Sequence, residues 1–188
     1  MRAFVAVIPP PEVRASALAG AREAVRRLNE HSGDRMRWTS PDNVHLTLKF
    51  LGDIREEALG ELRAALEETC AGHASFDAGL AGLGAFPSAR RARILWIGVG
   101  AGSDRLRSLA GDLDAALVPS GFEREERPYT PHLTLGRFRG RPASLELPSD
   151  TGEQGAGPEF RVPYIELVES TLTQRGAVYE NIGTFALG

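Results

Sequence analysis

The chain has 188 residues, 42% of them hydrophobic, with 22 basic against 25 acidic side chains and a net charge of −3. That supports one ordinary core, and the mild acidity excludes a protein that coats long nucleic acid nonspecifically. The single cysteine, Cys70, excludes an intramolecular disulfide and a cysteine-rich metal cluster, and fits a reducing cytoplasm. The short apolar start ends at Pro9-Pro10-Pro11 and is no signal peptide, and no run approaches the roughly 20 apolar residues of a membrane helix. The expectation is a soluble cytoplasmic monomer, with no membrane association and no obligate protein partner.

Arg2 to Ile8 reads as a buried strand, dense in Phe and Val. The prolines then turn the chain into a helix whose apolar stripe is Val13, Ala17, Ala21, Ala24, Val25 and Leu28, with an exit at Asn29 to Gly33. Arg35 to Trp38 is a short strand and Ser40 to Asn43 a turn before the strand Val44 to Phe50. Asp53 is expected to cap the next helix, Glu56 completing a capping box, with Ile54, Ala58, Leu62, Ala65 and Leu66 on the apolar face. Cys70, at the end of this helix, reads as an inert small hydrophobe.

Phe76 to Phe86 and Ile94 to Val99 read as strands around a turn whose Arg90, Arg91 and Arg93 form a solvated tip. Ser103 is the expected N-cap of a helix marked by Leu106, Leu109, Leu113 and Leu117. A charged connection, Glu123 to Arg127, leads into the strand Pro131 to Phe138. Arg139 to Gly157 is rich in Gly, Pro and charge and is expected to be a surface loop. Phe160 to Leu172 and Ala177 to Leu187 read as two strands joined at Gln174-Arg175-Gly176, a closing hairpin over about 159–187.

Two of these strands say the same thing. His45-Leu46-Thr47-Leu48 and His132-Leu133-Thr134-Leu135 are identical tetrads, and each ends a strand, helix, strand passage. The repeat units span about 2–52 and 92–139, within a single bilobal catalytic domain. Side chains alternate along a strand, so each histidine shares a face with its threonine while the leucines point the other way. Two imidazoles, each beside a hydroxyl, suit a phosphate and two proton transfers, because histidine alone allows one copy neutral and one protonated near neutral pH.

A zinc site is the rival reading, but the same-face neighbours are Thr, Lys and Gly rather than carboxylate, His or Cys, so no metal or other cofactor is expected. By strict alternation Lys49 shares the face of His45 and adds positive potential there. Arg137 falls on the face opposite His132 unless a bulge or strong twist at Gly136 brings it round. Tyr129 is a candidate for stacking on a base, Trp38 and Phe4 read as core, and His31 and His73 as surface residues.

The chain resembles the two-histidine phosphoesterase superfamily, and more closely the bacterial and archaeal RNA 2′,3′-cyclic phosphodiesterases, also called 2′-5′ RNA ligases. The resemblance rests on Met1 to Ala6, Arg37-Trp38, Asn43 to Gly52 with the first tetrad, Gly84-Ala85-Phe86-Pro87, Ile94-Leu95-Trp96, and Arg127 to Arg137 with the second. It implies an α+β bilobal fold with two antiparallel sheets facing a central cleft, and metal-independent hydrolysis of a 2′,3′-cyclic phosphate RNA end to a 2′-phosphate. Implied roles are His45 as proton donor, His132 as proton acceptor, and Thr47, Thr134 and Arg137 as phosphate-binding residues. The residues alone allow the opposite acid and base assignment. Two alternatives stay open: a phosphodiesterase for another cyclic or 2′-5′-linked nucleotide, and a non-catalytic module that binds RNA ends.

Overall fold

The computed structural model describes residues 1–28, 35–147, 157–174 and 176–188. In chain order these form β1 (Arg2–Val7), α1 (Pro11–Leu28), β2 (Met36–Trp38), β3 (Leu46–Asp53), α2 (Leu59–Ala71), β4 (Phe76–Phe86), β5 (Ile94–Val99) and α3 (Ser103–Ala116). After them come β6 (His132–Phe138), β7 (Glu159–Val162), β8 (Tyr164–Thr173) and β9 (Gly176–Ala186). The helix exit at 29–33 with His31, and the stretch 148–156 of the expected surface loop, lie outside the described residues.

The strands pair antiparallel in the order β7-β4-β5-β6-β3-β1-β8-β9, with β2 alongside β6. The two antiparallel sheets implied by the resemblance are the two halves of this continuous sheet. They meet at β3 and β6 through one bridged pair, Leu46 with Leu133. The repeat is visible in the order itself: β3 and β1 stand on one side of the junction, β6 and β5 on the other.

One main apolar cluster sits between sheet and helices. It joins Val13, Ala17 and Val25 of α1, Leu62, Leu66 and Cys70 of α2 and Leu106, Leu109 and Leu113 of α3 to the strand residues Val5, Val7, Leu46, Leu48, Leu133 and Leu135. The leucines of both tetrads are therefore core residues, and their burial fixes the register that turns the histidines to the other face. On that other face a separate small cluster contains Phe4, Ala6 and Val168, with Ile8 and Tyr179 packed against it.

Three local expectations are corrected. Asp53 ends β3 instead of capping α2, because the chain first makes a 3-10 turn over Glu56–Ala58. Ser103 does not cap α3: the helix starts from Gly102, and the buried Ser103 hydroxyl has no hydrogen-bond partner. Gly102 has φ +76°, and a Cβ there would lie 2.5 Å from the Asp77 carbonyl oxygen, so the entry tolerates only glycine. Finally, Phe160 to Leu172 is not one strand. Pro163, without an N–H to continue a ladder, separates β7, which pairs with β4, from β8, which pairs with β1. The closing hairpin is β8 with β9 alone.

Candidate active site

His45 and His132 are held in the same way. The Nδ1–H of His45 donates to the carbonyl of Asn43 at 2.8 Å, and that of His132 to the carbonyl of Thr130 at 2.6 Å. A carbonyl can only accept, so each Nδ1 carries the hydrogen and each Nε2 is left for chemistry. The carbonyl of Asn43 is itself positioned, because the Asn43 side-chain amide donates to Ala177 O at 2.8 Å and ties the turn to β9.

The antiparallel register around Leu46 and Leu133 sets His45 across from Thr134, and Thr47 across from His132. The histidines are then diagonal neighbours, a relation that spaces side chains by about 7–8 Å, room for one phosphate. Aromatic rings brace both. Phe4 stacks on His45 with centroids 4.7 Å apart and Tyr179 meets it edge-on at 5.2 Å. His132 lies against Phe86 at 5.1 Å and Trp96 at 5.8 Å.

Beyond the tetrads the sheet changes face. On β3, Thr47 pairs with Ala6 and Lys49 with Val5, so Leu48 is an extra residue. On β6, Thr134 pairs with Trp96 and Gly136 with Leu95, so Leu135 is extra. Each bulge inverts the alternation that follows it. Arg137 is thereby turned to the histidine side and is exposed, the outcome that required a bulge near Gly136. A Cβ on Gly136 would lie 2.7 Å from the Met36 sulfur, so glycine is what lets β2 pack there. Packed this way, Arg37 pairs directly with Arg137 on the neighbouring strand.

Lys49 has the reverse fate, and the expectation for it fails. The bulge turns it to the helix side, where it is 2% exposed and donates to Asp114 Oδ1 at 2.6 Å and Glu123 O at 2.7 Å. Its charge serves the fold rather than the cleft. Tyr129 also departs from its expected role. Its ring is half-buried against the main core and its hydroxyl is buried without a partner, and burial pushes its pKa up. Phe4, expected in the core, is 4% exposed in the small second cluster, and from there it also forms the floor under His45. His73, in the turn after α2, donates through Nε2 to Asp112 Oδ2 of α3 at 2.9 Å.

Sequence reasoning gives no role to Phe50, Phe86 or Tyr179. The first two lie inside stretches that carry the resemblance, but only the bulge and the strand pairing show where their rings go.

Burial lowers the pKa of His45 below the ordinary imidazole value, opposed by the bond to Asn43 O and reinforced by the like charge of a protonated His132. Burial likewise lowers His132, opposed by its bond to Thr130 O. A proton on one ring disfavours a proton on the other, so the two titrate as a pair and a singly protonated state separates their steps.

The sequence pattern of the 2′-5′ RNA ligase superfamily matches residues 9–173. A relative from Aeropyrum pernix, named RNA 2′,3′-cyclic phosphodiesterase, is 32% identical over 88% of this chain and 94% of its own length. Another of that name, from Methanothermobacter thermautotrophicus, is 34% identical over 89% of this chain and 93% of its own. The crystal structure of TT0787 from Thermus thermophilus superposes with a TM-score of 0.81 at 31% identity, covering 100% of this chain and 98% of that one. With the repeated tetrads meeting at the centre of the sheet, these similarities settle the family: the chain belongs to the 2′-5′ RNA ligase superfamily.

Proposed function

We propose that this protein hydrolyses the 2′,3′-cyclic phosphate at an RNA end to a 2′-phosphomonoester. The observation that carries the reading is the pair of histidines, each fixed through Nδ1 to a carbonyl two residues earlier and each facing the threonine of the other repeat. The names of the relatives above agree with it.

In this reaction water adds to phosphorus as the P–O3′ bond breaks. His132 Nε2 takes a proton from the water, and His45 Nε2 gives one to the departing O3′. Thr47 and Thr134 donate to the non-bridging oxygens, and the Arg137 guanidinium offers them charge-assisted bonds as charge develops there. Each placed acid or base is worth on the order of 10²–10⁴ in rate. No metal takes part. With a 5′ hydroxyl of RNA in place of water, the same groups in the same roles form a 2′-5′ link, and cleavage of that link back to the cyclic phosphate exchanges the roles.

The protein works as a monomer in the cytoplasm on RNA ends. Among the described residues no helix is long and apolar enough to cross a membrane.

The test is incubation with a short RNA ending in a 2′,3′-cyclic phosphate, EDTA present, with the product identified by phosphorus NMR. A 2′-phosphate is the expected product. A 3′-phosphate would reverse the bond assignment, and dependence on a metal would replace the mechanism. Tight binding without turnover would make the protein an end-binding module.

A further inference from the structure

Arg37 and Arg137 face each other across β2 and β6, and the pairing runs on past them. Met36 pairs with Phe138, and the N–H of Arg139 then donates to the carbonyl of Arg35 at 2.9 Å. Met36 and Phe138 are both buried in the main core. Alternation therefore turns the two pairs that flank them, Arg37 with Arg137 and Arg35 with Arg139, to the opposite face, which is the face of the histidines. Arg37, Arg137 and Arg139 are exposed there, and Arg35 is half-buried.

Like charges set directly opposite one another on adjacent strands are destabilising. Here two such pairs follow one another, on a chain whose net charge is −3. Two of the four side chains lean on backbone nearby. Arg35 donates to Arg141 O at 3.1 Å, and Arg37 reaches the turn of the closing hairpin, its Nη2 3.2 Å from where a Cβ on Gly176 would lie. Among the described residues neither Arg137 nor Arg139 has a carboxylate within ion-pair distance. Anions seated on the block offset the repulsion and use the two guanidinium groups of β6.

The spacing along β6 says which anions. Arg137 is assigned above to the phosphate between the histidines. Arg139 lies two residues further on, about 7 Å along the strand. One ribose separates a terminal cyclic phosphate from the phosphodiester on its 5′ side, and the offset between the two arginines is of that length. We infer that Arg139 forms a second phosphate subsite, for the phosphodiester on the 5′ side of the terminal nucleoside. The inference rests on the phosphodiesterase reading and adds to it a preference for chain ends over free cyclic nucleotides. Such a contact reads charge and position rather than a base edge, so the preference is independent of sequence.

The experiment compares cytidine 2′,3′-cyclic phosphate with its 5′-phosphorylated form, which adds only the phosphate in question. In wild type the 5′-phosphorylated compound has a KM lower by about tenfold, the scale of one hydrogen bond to a charged group. Arg139→Gln abolishes that difference with little effect on the unphosphorylated compound. Arg139→Lys keeps part of it, because the charge remains without the planar fork. Raising the salt from about 0.05 to 0.5 M narrows the wild-type preference. Equal KM values for the two compounds in wild type, or a preference kept in full by Arg139→Gln, would overturn the subsite. Equal losses on both compounds in Arg139→Gln would overturn it as well, since the charge would then act on the cleft as a whole. Absence of wild-type turnover on both compounds would bring down the underlying reading instead, so the two failures are distinct.

Discussion

Leu48 and Leu135 occupy the same place in the two repeats, three residues past His45 and His132, and each is the extra residue of a β-bulge. Both leucines are buried in the main core, so the bulges are anchored on the side away from the chemistry. The same device has opposite contents in the two copies. After Leu135 come Gly136, turned to the core, and Arg137, turned to the histidines; after Leu48 come Lys49, turned to the core, and Phe50, turned to the histidines.

Arg137 reaches the histidine side only because of its bulge, which makes its proposed contribution easy to isolate. Arg137→Ala should raise KM about tenfold or more, the scale of a hydrogen bond to a charged group, with a smaller fall in kcat. Arg137→Lys should recover part of the loss, since it restores charge without the two-pronged geometry. Steady-state kinetics on a cyclic-phosphate dinucleotide checks this, and an unchanged KM in Arg137→Ala would remove the residue from the site.

The histidines should behave differently. His45→Ala and His132→Ala each remove a proposed proton-transfer group, so kcat should fall on the order of 10²–10⁴. Neither ring belongs to the main core, so both variants should keep the wild-type circular dichroism spectrum. Wild-type rates in either would refute a two-histidine mechanism.

The period-two pattern makes the histidines, threonines and core leucines legible without coordinates, because burial of Leu46, Leu48, Leu133 and Leu135 leaves their neighbours one face to occupy. It fails one residue past each tetrad. A bulge costs a single residue and leaves no composition signal, so alternation assigns Lys49 to the wrong face, and Arg137 needs a device that only strand pairing reveals. Tyr129 is misread for a related reason. It lies in an irregular stretch, where no period says which way a ring turns, and the core claims it.

Lys49 and Asp114 make a prediction about the fold. Lys49 is 2% and Asp114 17% exposed, and Asp114 Oδ1 also accepts from the Glu125 N–H at 3.1 Å, so the pair fastens the charged connection that leads to His132. Lys49→Ala strands the carboxylate and should cost about 3–5 kcal/mol, measured by urea unfolding. Lys49→Met combined with Asp114→Leu should recover most of that. Burial works to raise the pKa of Asp114, but the bonds from Lys49 and Glu125 outweigh it and hold it below the ordinary value. A depressed carboxylate adds stability that is complete above its unfolded pKa and disappears as pH falls through the folded one. The melting advantage of wild type over Asp114→Asn should therefore shrink below about pH 4, and an advantage constant into that range would contradict the pairing.

The pH dependence of turnover follows from two imidazoles that are both harder to protonate than usual. Productive free enzyme has one ring protonated and one neutral. As pH falls, the second proton arrives and the base is lost; as pH rises, the first proton leaves and the acid is lost. Both steps lie below the ordinary imidazole value of about 6.5, so kcat/KM should be bell-shaped with its centre on the acid side of that value. A bound phosphate places negative charge between the rings and favours their protonated forms, which shifts both steps upward in the complex. The kcat profile should accordingly sit at higher pH than the kcat/KM profile on the same substrate. Replacing His132 by Ala removes the like charge that helps depress His45, so the pKa of His45, followed by proton NMR, should rise. No rise, or a fall, would mean that the two rings do not sense each other, and the shared site between the tetrads would have to be given up.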